Sequence, residues 1–129
     1  MFGCIAEPAL QTASSAWGKQ SVILRRFRAA LEENVDQPVY ILEICQSMGV
    51  AERTLRVHCR DHLGMSPKQY LLLRRLNLAH RALCAADPST TTVTEVATRF
   101  GFWELGRFAV AYRAWCGESP LASLRRTAN

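Results

Sequence analysis

Arginine side chains at helical spacing are the residues of this chain best suited to chemistry. Arg53, Arg56 and Arg60 are three and four positions apart, so a helix would bring them close to one face. An arginine offers a planar fork of hydrogen-bond donors that matches phosphate oxygens and the O6 and N7 atoms of guanine. Of the sixteen basic residues fourteen are arginine, and the formal net charge is +5. This excess points to nucleic acid, although many small domains carry a similar charge for solubility alone.

Two histidines in the same stretch have the spacing of metal ligands. His58 and His62 are four residues apart, with Cys59 and Asp61 between them. A metal site needs further ligands, and the third histidine, His80, has no partner pattern around it. The five cysteines are widely spaced and form no Cys-x-x-Cys pair, so they fit neither a zinc site nor a disulfide framework. We therefore predict no metal site and no cofactor, and a solvated or partly packed histidine pair.

Catalytic motifs are missing from the sequence. It contains no nucleophile elbow, phosphate-binding loop, zincin motif or pair of carboxylates in an apolar setting. The 129 residues provide one domain, or two very small ones. We predict that the protein is not an enzyme, and we assign no catalytic residue. Unpaired cysteines, together with the lack of a signal peptide and of a membrane-spanning apolar run, predict a soluble cytoplasmic protein that is not exported.

The arginines belong to a unit that occurs twice in the chain. Gly64-Met65-Ser66-Pro67 recurs 53 residues later as Gly117-Glu118-Ser119-Pro120, and Gly49 has its counterpart in Gly101. Each copy predicts a helix, a glycine turn, a second helix and then a stop followed by a new helix. A solenoid needs about three units to bury a continuous core, so two copies favour a pair of helix-turn-helix modules.

Helix start and stop signals predict an all-α fold with no strand. Residues 1–18 show no sustained period and are expected to form a loosely ordered arm. The expected helices cover about residues 19–33, 41–48, 51–62, 67–85, 93–100, 103–116 and a short segment from Ser119-Pro120. The helix at 67–85 would be about 28 Å long at 1.5 Å per residue. This length is close to the roughly 34 Å between successive major grooves on one face of DNA, so the two modules could reach adjacent turns.

The repeated motifs resemble the DNA-binding domain of AraC/XylS-type transcription regulators. The resemblance covers about residues 20–126. It is carried by Ile44-Cys45, Gly49-Val50, Arg53-Thr54-Leu55, Gly64-Met65-Ser66-Pro67, Val93-Thr94-Glu95-Val96-Ala97, Phe100-Gly101-Phe102, Phe108, Tyr112 and Gly117-Glu118-Ser119-Pro120. It implies a DNA-binding domain of seven helices at 19–126, with helix-turn-helix subdomains at about 41–62 and 93–116 joined by the helix at 67–85. It also implies sequence-specific binding of double-stranded DNA, with two recognition helices in adjacent major grooves.

The resemblance also assigns roles to single residues. In the first recognition helix the positions that contact bases hold Arg53, Arg56 and Val57, while Leu55, Cys59 and either His62 or Leu63 face inward. In the second recognition helix, expected at about 103–115, the base-contacting positions hold Glu104, Leu105 and Arg107. The expected phosphate contacts are Arg60, Ser66, Lys68, Arg75 and Arg113. Ala51 and Trp103 stand where the family has better helix caps, and Gly106 weakens the second helix, so specificity should depend mainly on the first module.

Two functions are compatible with these residues. The first is a DNA-binding transcription regulator whose DNA-binding unit is monomeric. Such a regulator would be associated with the nucleoid in the bacterial cytoplasm, would have RNA polymerase as a further candidate partner and would make no membrane contact. The alternative is a helix-turn-helix-derived protein-interaction module, for polymerase or a partner regulator, with weak or non-specific DNA binding. The outward arginines of the first recognition helix favour DNA. The chain is either a stand-alone regulator or a piece of a longer one.

Overall fold

The computed structural model describes residues 21–34 and 38–126. Within these ranges the chain forms seven α-helices and no strand, which confirms the predicted all-α class. The helices are α1 (Val22–Glu32), α2 (Ile41–Met48), α3 (Glu52–Leu63), α4 (Pro67–Ala85), α5 (Val93–Arg99), α6 (Leu105–Cys116) and α7 (Pro120–Arg126). The predicted arm at residues 1–18 lies outside the described residues, as do Lys19 and Gln20 at the expected start of α1.

The chain divides into two compact units, and the division falls inside α4, between Leu73 and Arg74. The first unit contains α1, α2, α3 and the first part of α4, and the second contains the rest of α4 with α5, α6 and α7. The paired helices α2–α3 and α5–α6 correspond to the two sequence repeats. Their second helices, α3 and α6, have 12 residues each and begin 53 residues apart, at Glu52 and Leu105.

The first unit is built on the apolar face of α1, which packs against both α2 and α3. Ser21 begins this helix, because its Oγ accepts a hydrogen bond from the Leu24 N–H at 3.2 Å. Leu24, Phe27 and Leu31 then follow at helical spacing and are buried. The core is completed by Val39, Ile44, Cys45, Met48, Leu55, Cys59, Leu63, Tyr70 and Leu71.

The turn between α2 and α3 depends on a glycine, as the sequence predicts. Gly49 ends α2 in the left-handed region at φ 68°, which side chains disfavour, and the Val50 N–H bonds the Cys45 carbonyl at 3.1 Å. Ala51 is the N-cap of α3 and supplies no side-chain hydrogen bond. The turn therefore sets the direction of α3, while the start of α3 lacks the stabilisation that a serine cap would give.

In the second unit, α5 begins with a capping box. Thr92 Oγ1 accepts from the Glu95 N–H at 3.1 Å, and Glu95 Oε1 accepts from the Thr92 N–H at 2.8 Å. Behind the following turn, the Phe102 and Phe108 rings lie 4.7 Å apart, and the Phe108 and Tyr112 rings 5.5 Å apart. Phe100, Phe102, Phe108, Tyr112 and Trp115 are all buried. These aromatic residues therefore form the core of the second unit.

The start of α6 differs from the prediction. The sequence suggested a helix from Trp103, whereas the helix begins at Leu105 with Glu104 as its N-cap. The Glu104 Oε1 atom accepts from the Gly106 N–H at 3.0 Å, and a carboxylate is also favoured by the positive end of the helix dipole. An indole cannot accept such a bond, so Trp103 precedes the helix and is 76% exposed.

A chain of buried polar groups links α4, α6 and α7 within the second unit. The Tyr112 hydroxyl donates to Ser123 Oγ at 2.7 Å, and Ser123 Oγ donates to the Glu118 carboxylate. Because the Tyr112 proton is used, the His80 Nδ1–H donates to the phenol oxygen, at 2.9 Å. Arg126 closes the chain by donating to Glu118 at 3.0 Å. Burial raises the pKa of Tyr112, so its hydroxyl keeps the proton that this arrangement needs.

Candidate nucleic-acid interface

The outward face of α3 is cationic and exposed. Its inward side is formed by Leu55, Cys59 and Leu63, which are buried, so Leu63 and not His62 takes the third inward position. The outward side chains are those of Arg53, Arg56, Val57 and Arg60, all exposed. The structure therefore places the three expected base-contacting residues of the first module, and one expected phosphate contact, on solvent-facing positions of one helix.

Arg56 is held by an ion pair within the helix. Its Nη2 lies 3.3 Å from Glu52 Oε2, one turn nearer the N-terminus, and both side chains are close to half exposed. Exposed pairs of this kind contribute about 0.3–0.5 kcal/mol, so a stronger acceptor can replace the glutamate at little cost. The ion pair therefore restrains the guanidinium without blocking it.

The histidine pair on α3 is explained by packing. His58 is half-buried, and its Nδ1 lies 2.8 Å from the Oγ of Ser21, the residue that caps α1. The His62 ring stacks against the His58 ring with centroids 6.2 Å apart. Among the described residues no group of three or more His, Cys, Asp or Glu side chains is arranged to hold a metal ion. His58 thus fixes α3 to the start of α1, a role that the sequence did not indicate.

The cysteines beneath α3 are inert core residues. Cys45 and Cys59 are free and buried. Burial raises the pKa of the Cys59 thiol to about 12, with a smaller contribution from the neighbouring Cys45. Because the thiolate is the reactive form, neither residue is suited to nucleophilic or metal chemistry near neutral pH.

Expected phosphate contacts lie at helix ends. Ser66 caps α4, since its Oγ accepts from the Gln69 N–H at 3.1 Å, and Lys68 is exposed in the first turn of the same helix. The N-terminus of a helix favours anions through its free N–H groups and its dipole. Arg60 and Arg113 are exposed in the last turns of α3 and α6. All four side chains are accessible to a phosphate backbone.

Arg75 has a different environment from the other expected phosphate contacts. It is half-buried, with Nη1 3.4 Å from the Gly101 carbonyl oxygen and its guanidinium carbon 5.0 Å from the Phe102 ring centroid. Hydrogen bonding and cation–π attraction thus hold the turn between α5 and α6 against α4. The sequence did not indicate this structural role, and the contact of Arg75 with phosphate stays a prediction.

The outward face of α6 has less polar character than that of α3. Leu105 is 41% exposed, Arg107 is exposed, and the Glu104 carboxylate is engaged as the helix cap. A contact between Glu104 and a base would require this cap to open. All three remain predicted base contacts, with Arg107 the most accessible hydrogen-bond donor among them.

The fold and these faces define a protein with two helix-turn-helix modules, each exposing part of its second helix. None of the helices in residues 21–34 and 38–126 combines the length and the apolar character that crossing a bilayer requires. Residues 44–126 match the family model described as a helix-turn-helix domain.

Comparison with known proteins identifies the family. The chain is 31% identical to XylDLEGF operon transcriptional activator 2 of Pseudomonas putida in an alignment of 127 positions that covers 93% of this chain and 80% of that protein. The crystal structure of a probable AraC family transcriptional regulator from Rhodopseudomonas palustris CGA009 superposes with a TM-score of 0.70 at 32% identity, covering 83% of this chain and 98% of that one. The chain belongs to the AraC/XylS family of helix-turn-helix transcriptional regulators.

Other relatives are longer than this chain. The probable thc operon regulatory protein of Rhodococcus erythropolis is 38% identical over 95 residues, which are 74% of this chain but only 29% of that protein. These relatives are transcriptional regulators and not enzymes.

Proposed function

We propose that the protein regulates transcription by binding double-stranded DNA at specific sequences, through a DNA-binding domain at about residues 19–126. The observation that carries the proposal is the outward face of α3, where Arg53, Arg56 and Arg60 are exposed around Val57. A guanine edge accepts two hydrogen bonds from one guanidinium, and each such contact discriminates against other bases by about 1–3 kcal/mol.

The α3 helix contacts bases through Arg53, Arg56 and Val57 in the major groove. When Arg56 binds guanine, its guanidinium leaves the Glu52 carboxylate. This costs little because the exposed ion pair is weak. Val57, 48% exposed, offers an apolar surface to a base edge. Arg60, Ser66 and Lys68 follow along the same unit and contact phosphates, as does Arg113 in the second.

The α6 helix enters a second major groove, with Glu104, Leu105 and Arg107 towards the bases. Two half-sites one helical turn apart are about 34 Å from each other, and the 19 residues of α4 give a helix about 28 Å long. One chain thus supplies both contacts, and the DNA-binding unit acts as a monomer. RNA polymerase is its further partner, at the promoters to which the protein binds in the nucleoid.

The test is binding to a genomic duplex pool, followed by fluorescence anisotropy at increasing salt. Neutralising about 4–7 phosphates gives log K against log salt a slope of about −4 to −6. Arg28→Ala is a matched control for Arg56→Ala, because Arg28 is also exposed and pairs with a glutamate one turn away, Glu32, at 3.2 Å. Only the α3 substitution should weaken binding. A flat salt dependence, or no binding at low salt, would instead favour the protein-interaction module.

A further inference from the structure

The outward face of α6 exposes an apolar side chain between two arginines, although the helix is not short of core contacts. Val110 is 73% exposed, at the centre of the outward face, and Leu105 is 41% exposed, at its flank near the N-terminus. The inward face is already supplied by Phe108, Tyr112, Trp115 and Cys116, all buried. Val110 is therefore an apolar residue that core packing does not require at its position, and Leu105 leaves part of its side chain open to solvent.

The charges of α6 indicate what covers this face. Its 12 residues include two arginines, Arg107 and Arg113, both exposed, and no carboxylate. The neighbouring Glu104 is engaged at the helix N-terminus, where the dipole offsets its charge. The arginines attract the negatively charged phosphates of DNA, and the apolar side chain can contact apolar groups in the DNA groove.

We propose that α6 recognises thymine through the C5-methyl group, with Val110 and Leu105 as the residues that contact it. This inference rests on the proposed DNA-binding function and specifies what the second helix recognises. Thymine alone among the four bases presents a methyl group in the major groove, and a side chain without donors or acceptors can distinguish bases there only by apolar contact.

Leu105 and Val110 project in different directions from α6. They are five residues apart, which is about 7.5 Å along the axis at 1.5 Å per residue and about 140° around it at 100° per residue. Val110 therefore projects from the outward face, while Leu105, the first residue of the helix, lies at the end whose residues contact base edges in helix-turn-helix proteins. Gly106, between them on the outward side, is exposed, and a Cβ atom there would meet only the Glu104 carboxylate oxygen, at 3.2 Å. The backbone of the first turn can therefore approach the base edges closely.

This recognition differs in kind from that of α3. Guanidinium groups on α3 discriminate by hydrogen bonds to guanine, whereas α6 discriminates by the burial of a methyl group. Burying one methyl against aliphatic side chains changes affinity roughly fourfold, so two contacts change it roughly 10- to 20-fold. The site for α6 should accordingly be rich in A·T pairs, with a modest contribution to specificity.

The experiment compares duplexes that differ only in methyl groups. A binding site is first selected from a randomised duplex pool, and its thymines in the half covered by α6 are then replaced by deoxyuridine. We expect the affinity of the unchanged protein to fall roughly fourfold for each contacted methyl that is lost, and roughly 10- to 20-fold when both are lost. The double variant Leu105→Ala/Val110→Ala should bind both duplexes equally. Alanine favours the helix, so this variant should fold, which circular dichroism checks.

Leu121→Ala provides the matched control, since Leu121 is 44% exposed on α7, outside the proposed surface. This control should keep the preference for thymine. Equal binding of the two duplexes by the unchanged protein would overturn the methyl recognition and leave the DNA-binding function intact. A preference that survives in the double variant would also overturn it, because other residues would then contact the methyl. Failure to select any duplex would refute the DNA-binding function itself.

Discussion

Removing the hydroxyl of Tyr112 should destabilise the second unit by an amount that its hydrogen bonds determine. In Tyr112→Phe, Ser123 Oγ loses a donor at 2.7 Å but still donates to Glu118, which costs about 0.5–1.5 kcal/mol. The His80 ring loses its phenol acceptor at 2.9 Å inside the core, which costs about 1–3 kcal/mol. The ring itself and its packing on Phe108 are retained. We expect a total loss of about 1.5–4.5 kcal/mol.

The assay is equilibrium unfolding in urea, followed by far-UV circular dichroism. Thr94→Val is the control, since it removes an exposed hydroxyl from the same unit and should change stability by less than about 0.5 kcal/mol. The variants Ser123→Ala and Tyr112→Phe/Ser123→Ala complete a double-mutant cycle, in which the double variant should lose less stability than the two single variants together. Equal midpoints for Tyr112→Phe and Thr94→Val, or strictly additive effects in the cycle, would show that the polar chain contributes no stability.

Three further outcomes are expected. Arg56→Ala should weaken binding to the preferred site by about 1–3 kcal/mol and relax the preference at one base pair, both measured by competition anisotropy; a uniform loss at all sites would mean that Arg56 contacts only phosphate. An alanine inserted between Leu73 and Arg74 should rotate the following part of α4 by about 100° and shorten the protected DNA footprint from about two helical turns to one. An unchanged footprint would mean that this helix does not set the spacing of the two modules. Because burial raises the pKa of the Cys59 thiol in the folded protein to about 12, the unfolded chain loses this proton at lower pH, and the free energy of unfolding should fall as pH rises from about 9 towards 12. The fall should reach up to about 1.4 kcal/mol per pH unit. Cys59→Val should reduce this slope, and an unchanged slope would mean that other groups cause it.

Features set by neighbouring residues could be predicted from the sequence. The capping box at Thr92 and Glu95 and the stop at Gly49 each depend on groups a few positions apart, and both occur in the structure. The start of α6 also depends on a local contact, between the Glu104 carboxylate and the Gly106 N–H, but the predicted helix starts at Trp103 and does not use this carboxylate. The helical period likewise sufficed to separate the exposed arginines of α3 from its buried face.

Contacts between distant residues could not be predicted in this way. Ser21 and His58 are 37 positions apart, and His80 and Tyr112 are 32 apart. Nothing in the sequence pattern pairs these residues, because their meeting depends on how whole helices pack. The structural role of Arg75 was missed for the same reason, since its charge suggested phosphate while its partner is the Gly101 carbonyl, 26 positions away.

The division of the two units inside α4 affects how such a protein can evolve. Tyr70 and Leu71, before the division, complete one core, while Leu76, Ala79 and Leu83, after it, are buried in the other unit. A recombination event at either end of the helix would therefore take core residues from one module and leave them with the other. The two modules should be inherited together as one gene segment, and exchanged between relatives only as a pair.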